Sequence, residues 1–111
     1  MKKLILLSII LFIGCSMQSN RSGETNSVAI SLPTMQCSMC VTNIENALNE
    51  VEGIVKVRVK LRKLNATVEY NGEIINTQEI EQIISKAGYQ ANDIKADLEA
   101  YQKLAMCCQV P

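Results

Sequence analysis

Between Val28 and Ile94 the spacing of apolar residues switches repeatedly between two and three-to-four, and few folds accept that succession. Val28, Ile30 and Leu32 stand two apart, the period of a strand with one buried face, and Pro33 closes the run. From about Ser38 the period lengthens. Val41, Ile44, Leu48 and Val51 recur at helical spacing, and Gly53 marks the turn beyond them. Val55, Val57, Val59 and Leu61 then alternate with Lys56, Arg58 and Lys60, the pattern of a second strand. Lys63-Leu64-Asn65 reads as a turn into a third strand, with Ala66, Val68 and Tyr70 on one face and Thr67 and Glu69 on the other. Asn71-Gly72 ends it. Asn76 or Thr77 can cap a second helix that buries Ile80, Ile83, Ile84 and Ala87 and stops at Gly88. Tyr89 to Ile94 reads as a short last strand.

The order β-α-β-β-α-β predicts an α+β fold of the ferredoxin-like kind, a four-stranded antiparallel sheet with two helices on one face. The opposite sheet face stays wet, with Lys56, Arg58 and Lys60 across from Thr67 and Glu69. Such a stripe fits a solvated sheet surface or a docking face for an acidic partner. The chain has 111 residues, enough for one small domain. Its 11 basic and 11 acidic residues cancel, so no strong field draws it to nucleic acid. Aromatics are few, which leaves Ile, Val and Leu to build the core.

Residues 1–14 have the form of an export signal. Lys2 and Lys3 precede an apolar run, Leu4 to Ile13, interrupted only by Ser8. At about ten residues the run is too short to span a bilayer core of about 30 Å and has the length of a secretory h-region. Leu11-Phe12-Ile13-Gly14-Cys15 resembles a bacterial lipobox, with Phe12 where Leu is usual. The resemblance implies cleavage before Cys15 and lipid on its thiol, so that the protein is extracytoplasmic, tethered to a bacterial membrane on the periplasmic side. Residues 15–27, rich in Ser and Asn, then form a flexible linker, residues 28–94 the domain, and residues 95–111 an extension.

The chemistry is concentrated in Met35-Gln36-Cys37-Ser38-Met39-Cys40, at the junction of the first strand and helix. A helix N-terminus stabilises negative charge and so favours thiolates. The sequence holds no histidine. Two thiolates at this spacing suit a soft ion at low coordination number, copper(I) or mercury(II). Zinc prefers four ligands, and no third or fourth stands near in the sequence. A C-x-x-C pair also suits a thiol–disulfide oxidoreductase, although the domain is short and no Trp or Pro flanks the pair in the manner of that class. A structural disulfide closing so small a loop adds little stability.

Met35-x-Cys37-x-x-Cys40, the helix after it, the strand Val55 to Leu61, and Ala87-Gly88-Tyr89 at the end of the second helix together resemble the heavy-metal-associated domain. That family includes copper chaperones, modules of copper-transporting ATPases and periplasmic mercury-binding proteins. The resemblance implies a metal carrier rather than an enzyme. It implies that Cys37 and Cys40 are the metal ligands, that Met35 points inward to brace the loop, and that Tyr89 lies beside the site. The family usually has Gly-Met-Thr before the first cysteine, whereas this chain has Thr34-Met35-Gln36. The expected partners are a metal transporter or second metal carrier, and the membrane through the lipid anchor.

Lys95 to Met106 carries Leu98, Tyr101, Leu104 and Ala105 at helical spacing, an extra helix leading to the adjacent thiols Cys107 and Cys108. A disulfide between neighbours is strained and labile. The two are therefore candidates for capturing or handing over a soft ion, or for reaching the Cys37/Cys40 site as an auxiliary ligand. Met39, between the two ligands, is expected to face solvent.

Overall fold

The structure, a computed structural model, describes residues 25–111. The expectations for residues 1–14, for the lipid at Cys15 and for most of the linker lie outside the described residues.

Strand β1 (Thr25–Ser31) leads into helix α1 (Ser38–Asn49), then strands β2 (Ile54–Lys60) and β3 (Asn65–Asn71), then helix α2 (Thr77–Lys86). A five-residue helix, α3 (Leu98–Gln102), and a 3-10 turn at Met106–Cys108 complete the chain. β1 begins at Thr25, so Thr25 to Ser27 belong to the sheet and not to a linker. β3 is the central strand, antiparallel to both neighbours, with Val68 opposite Val28 on one side and Val57 on the other. β1 and β2 are therefore parallel, with β3 inserted between them and α1 as their crossover, a split βαβ unit.

The alternation in β3 is clean: Ala66, Val68 and Tyr70 are buried. They form one core with Ile30 and Leu32, with Ile44 and Leu48 of α1, and with Ile80 and Ile84 of α2. Both helices thus bury their apolar stripes against the same sheet face. On the other face Lys56 stands opposite Glu69, Arg58 opposite Thr67 and Lys60 opposite Asn65. β2 departs from its sequence pattern at one end. A bulge between Ile54 and Lys56 inserts one residue, so Ile54 turns inward and Val55 is exposed.

α2 starts with a capping box. The Asn76 side chain accepts from the Glu79 N–H, and the Glu79 carboxylate accepts from the Asn76 N–H. It ends at Gly88, whose φ of +105° suits glycine alone. A Cβ there would also lie 3.1 Å from Leu104.

The expected fourth strand does not form. Within Tyr89 to Ile94 there is only an isolated bridge, in which Ala91 and Ile94 exchange both backbone hydrogen bonds at 2.9 Å. Asn92 adopts a left-handed backbone, which folds the segment into a turn. Asn92 then meets the end of β1 at two points instead of along a ladder. Its N–H donates to the Ser31 carbonyl and its side-chain oxygen accepts from the Ser31 N–H, both at 2.8 Å. Among the described residues the sheet has three strands. Of the short extra helix expected within Lys95 to Met106, the structure forms the five residues of α3, followed by the separate 3-10 turn.

Candidate metal centre

Cys37 is the N-cap of α1, with extended backbone angles, and its carbonyl accepts from the Cys40 N–H at 2.9 Å. One helical turn then brings the two sulfurs to 3.8 Å. Cys40 is fully buried and Cys37 half-buried, so the pair sits at the surface with one sulfur in the core. Met35 is buried beneath the loop. The loop is also tied to the segment after α2, where the Gln90 N–H donates to the Thr34 hydroxyl at 3.1 Å.

The cysteines at the end of the chain arrive at the same place. Cys107 Sγ lies 3.4 Å from Cys37 Sγ, and Cys108 Sγ lies 4.0 Å from it. The sulfurs of Cys37, Cys40 and Cys108 all fall within 4.8 Å of one another. Cys108 is fully buried, whereas Cys107 is exposed. The structure therefore supplies the third and fourth thiols that the sequence near Cys37 lacks. Met39 is half-exposed, and its sulfur is 4.0 Å from Cys107 Sγ.

The environments of the thiols differ. The backbone N–H groups of Cys40 and, to a lesser degree, Met39 face the Cys37 sulfur at the open end of α1, without a short capping bond to the neutral thiol. Together with the hydrogen bond between Cys37 and Cys107, they lower the Cys37 pKa to about 7. Burial pushes Cys108 up to about 12, and Cys40 beside it adds to the rise. Cys107 is raised chiefly by its hydrogen bond with Cys37.

Tyr89 is fully buried under the sulfurs, and burial raises its hydroxyl well above the ordinary range. The neutral hydroxyl faces Cys108 and Cys40 and can donate to a thiolate there. It accepts from the Asn43 side-chain amide at 2.9 Å, and that amide also donates to Cys108 Sγ at 4.0 Å. Asn43 was not legible as a site residue from the motif alone. Its one signal is position, three residues after Cys40 and so on the same helix face.

The heavy-metal-associated domain matches residues 29–90, from β1 through the loop, α1 and α2 to Gln90. The chain belongs to the heavy-metal-associated domain family. As such a domain, it is 39% identical over 64 residues to the copper chaperone CopZ of Enterococcus hirae, covering 58% of this chain and 93% of that protein. It is 32% identical over 68 residues to the mercuric transport protein periplasmic component of Salmonella typhi, covering 61% of this chain and 75% of that one. Among solved structures, oxidized MerP from Ralstonia metallidurans CH34 superposes with a TM-score of 0.59 at 31% identity, over 61% of this chain and 94% of MerP. The fold is thus the heavy-metal-associated domain's, and the Ala91–Ile94 turn follows directly on the matched residues. Residues 95–111, which carry Cys107 and Cys108, lie beyond the matched region.

Proposed function

We propose that this protein is a carrier of soft metal ions, copper(I) first, which binds the ion between Cys37 and Cys40 and passes it to a transporter or second carrier. The observation that carries this reading is the 3.8 Å sulfur pair at the α1 N-terminus, one member of which has its pKa lowered to about 7. A thiolate available at neutral pH binds a soft ion without first paying for deprotonation. Transfer proceeds by ligand exchange: an incoming thiolate adds to the bound ion, and an original thiolate then leaves. Cys37, at the surface, is the ligand that exchanges, and Cys40, buried, is the one that holds. The likeness to a copper chaperone over almost its whole length supports copper(I).

Cys37→Ala or Cys40→Ala should abolish tight copper(I) binding, measured by competition with a chelating probe, while the far-ultraviolet circular dichroism is kept. Tight binding retained in either variant would refute the assignment. The likeness to a mercuric transport component favours mercury(II) as a second reading, with the same ligands. Competition affinities of the reduced protein for copper(I), mercury(II) and zinc decide between them. A thiol–disulfide oxidoreductase would instead reduce insulin with turnover.

The carrier is placed outside the cytoplasm, lipid-tethered through Cys15. The support is the apolar run Leu4 to Ile13 ending at Gly14-Cys15. Metabolic labelling with a fatty acid should mark the protein, and Cys15→Ser should lose the label. An unlabelled wild-type chain would remove the tether.

A further inference from the structure

The spacing of the sulfurs says more about the ion's coordination than a two-thiolate site requires. With metal–sulfur bonds of about 2.3 Å, two sulfurs across a linear ion stand about 4.6 Å apart, and three around a planar ion about 4.0 Å. Cys37 and Cys40 are 3.8 Å apart, and Cys37 and Cys108 are 4.0 Å apart. Both separations are shorter than a linear two-sulfur site spans and leave room for a third sulfur on the ion. The third side of the triangle, from Cys40 to Cys108, is no longer than 4.8 Å.

Cys108 is also held where it is by the fold. Its N–H donates to the Ala105 carbonyl at 2.8 Å, closing the 3-10 turn. The Gln109 side chain donates to the Leu104 carbonyl at 3.2 Å. The Val110 N–H donates to the Tyr101 hydroxyl at 2.6 Å. Upstream, the Asp97 N–H donates to the Ser85 carbonyl at 2.9 Å, and the Ser85 hydroxyl donates to the Lys95 carbonyl at 2.7 Å. Leu104 packs on Gly88. The tail is thus fixed along the C-terminal end of α2 and delivers one fully buried thiol to the other two. The third sulfur also has a donor: the Asn43 side-chain amide donates to Cys108 Sγ at 4.0 Å. A cysteine that merely filled the core would need no such donor, whereas a thiolate on an ion gains from one.

We propose that Cys108 is a third ligand, which closes over an ion held by Cys37 and Cys40 to make a three-thiolate site, so that the C-terminal tail is a clamp built into the chain. Cys107, which is exposed, is not part of the triangle. The clamp rests on the reading of Cys37 and Cys40 as ligands. It adds a sulfur that the domain matched over residues 29–90 does not contain.

The test is the sulfur coordination number of copper(I), and in parallel of mercury(II), by X-ray absorption on the reduced full chain loaded with one equivalent. Three sulfurs are expected. Cys108→Ser should give two, and Cys107→Ser should keep three. Loss of an outer-sphere partner already costs about 10–100-fold in metal affinity, so Cys108→Ser should weaken binding by at least about tenfold. Two sulfurs in the unsubstituted chain, three retained in Cys108→Ser, or loss of the third sulfur in Cys107→Ser would each overturn the proposal. Should Cys108→Ser fail to fold, the count in the unsubstituted chain decides alone. The two readings fail separately. An ion bound by two sulfurs and indifferent to Cys108 removes the clamp and leaves the carrier, whereas tight binding that survives Cys37→Ala or Cys40→Ala removes the carrier.

Discussion

Cys37 and Cys108 are both thiols within 4.0 Å of each other, yet their surroundings push them in opposite directions. Cys37 sits at the mouth of α1, where amides favour its thiolate, and is lowered to about 7. Cys108 sits in the core, where desolvation penalises charge, and is pushed up to about 12. The thiolate is the reactive form, so alkylation follows its population. The rate at Cys37 should rise as pH increases through about 7 and level off above it, because a lowered pKa leaves the charged form present above that value and loses it below. Cys108 should stay unlabelled across the same range. Alkylation of the metal-free, reduced chain at a series of pH values, with peptide mass spectrometry to separate the sites, checks this. Equal rates at the two cysteines near pH 7 would contradict the environments described. The sequence made Cys37 and Cys40 legible because their chemistry is local: residue type, spacing of three, and a helix start. The part played by Asn43 was not, since an Asn on a helix face is ordinary until the fold puts Tyr89 beside it.

At the scale of elements, the two helices and the first three strands follow from periods that the core enforces. Ile44 and Leu48, or Ala66, Val68 and Tyr70, have nowhere else to go. The readings that departed did so where that constraint is weak. Val55 fits the alternation of β2, but a bulge needs only one inserted residue to hand its inward place to Ile54, and no apolar count registers that. Tyr89 to Ile94 had little alternation, and Asn92 accepts a left-handed backbone that a regular strand excludes. Gly88 joins the legible part to the illegible one. It was visible as the stop of α2, but its second role, making room for Leu104, depends on the tail. Gly88→Ala should therefore have two effects. The positive φ costs about 1–3 kcal/mol of stability. The new Cβ, 3.1 Å from Leu104 and 3.2 Å from the Ala100 carbonyl, should also lift the tail and open Cys108 to alkylation in the folded protein. Denaturant melts and labelling kinetics measure the two separately. A destabilised protein with Cys108 still protected would show that the tail does not depend on this contact.

Over the whole molecule, the sulfur triangle joins two parts of the chain that are 71 residues apart in sequence, the start of α1 and the last turn. No local rule predicts that meeting, because it depends on the complete path of the chain around α2. It also gives metal binding a mechanical consequence. In the metal-free protein the final turn is held by a few hydrogen bonds and by Leu104, so it opens more easily than α2, whose Ile80 and Ile84 are wholly buried. An ion that binds only the closed arrangement stabilises it by linkage, by about 4 kcal/mol when free ion exceeds Kd a thousandfold. Loading should therefore slow amide exchange at Cys108 and Gln109, whose N–H groups bond to Ala105 and Met106, by far more than at Ile80 to Ile84. Hydrogen exchange with and without one equivalent of copper(I) reads this directly. In Cys108→Ser the slowing should persist at Cys40 and Val41 and vanish from the tail, because the two-thiolate site still forms but no longer reaches the end of the chain. A tail slowed equally in that variant would mean that the tail docks by packing alone and that the ion does not pull it in.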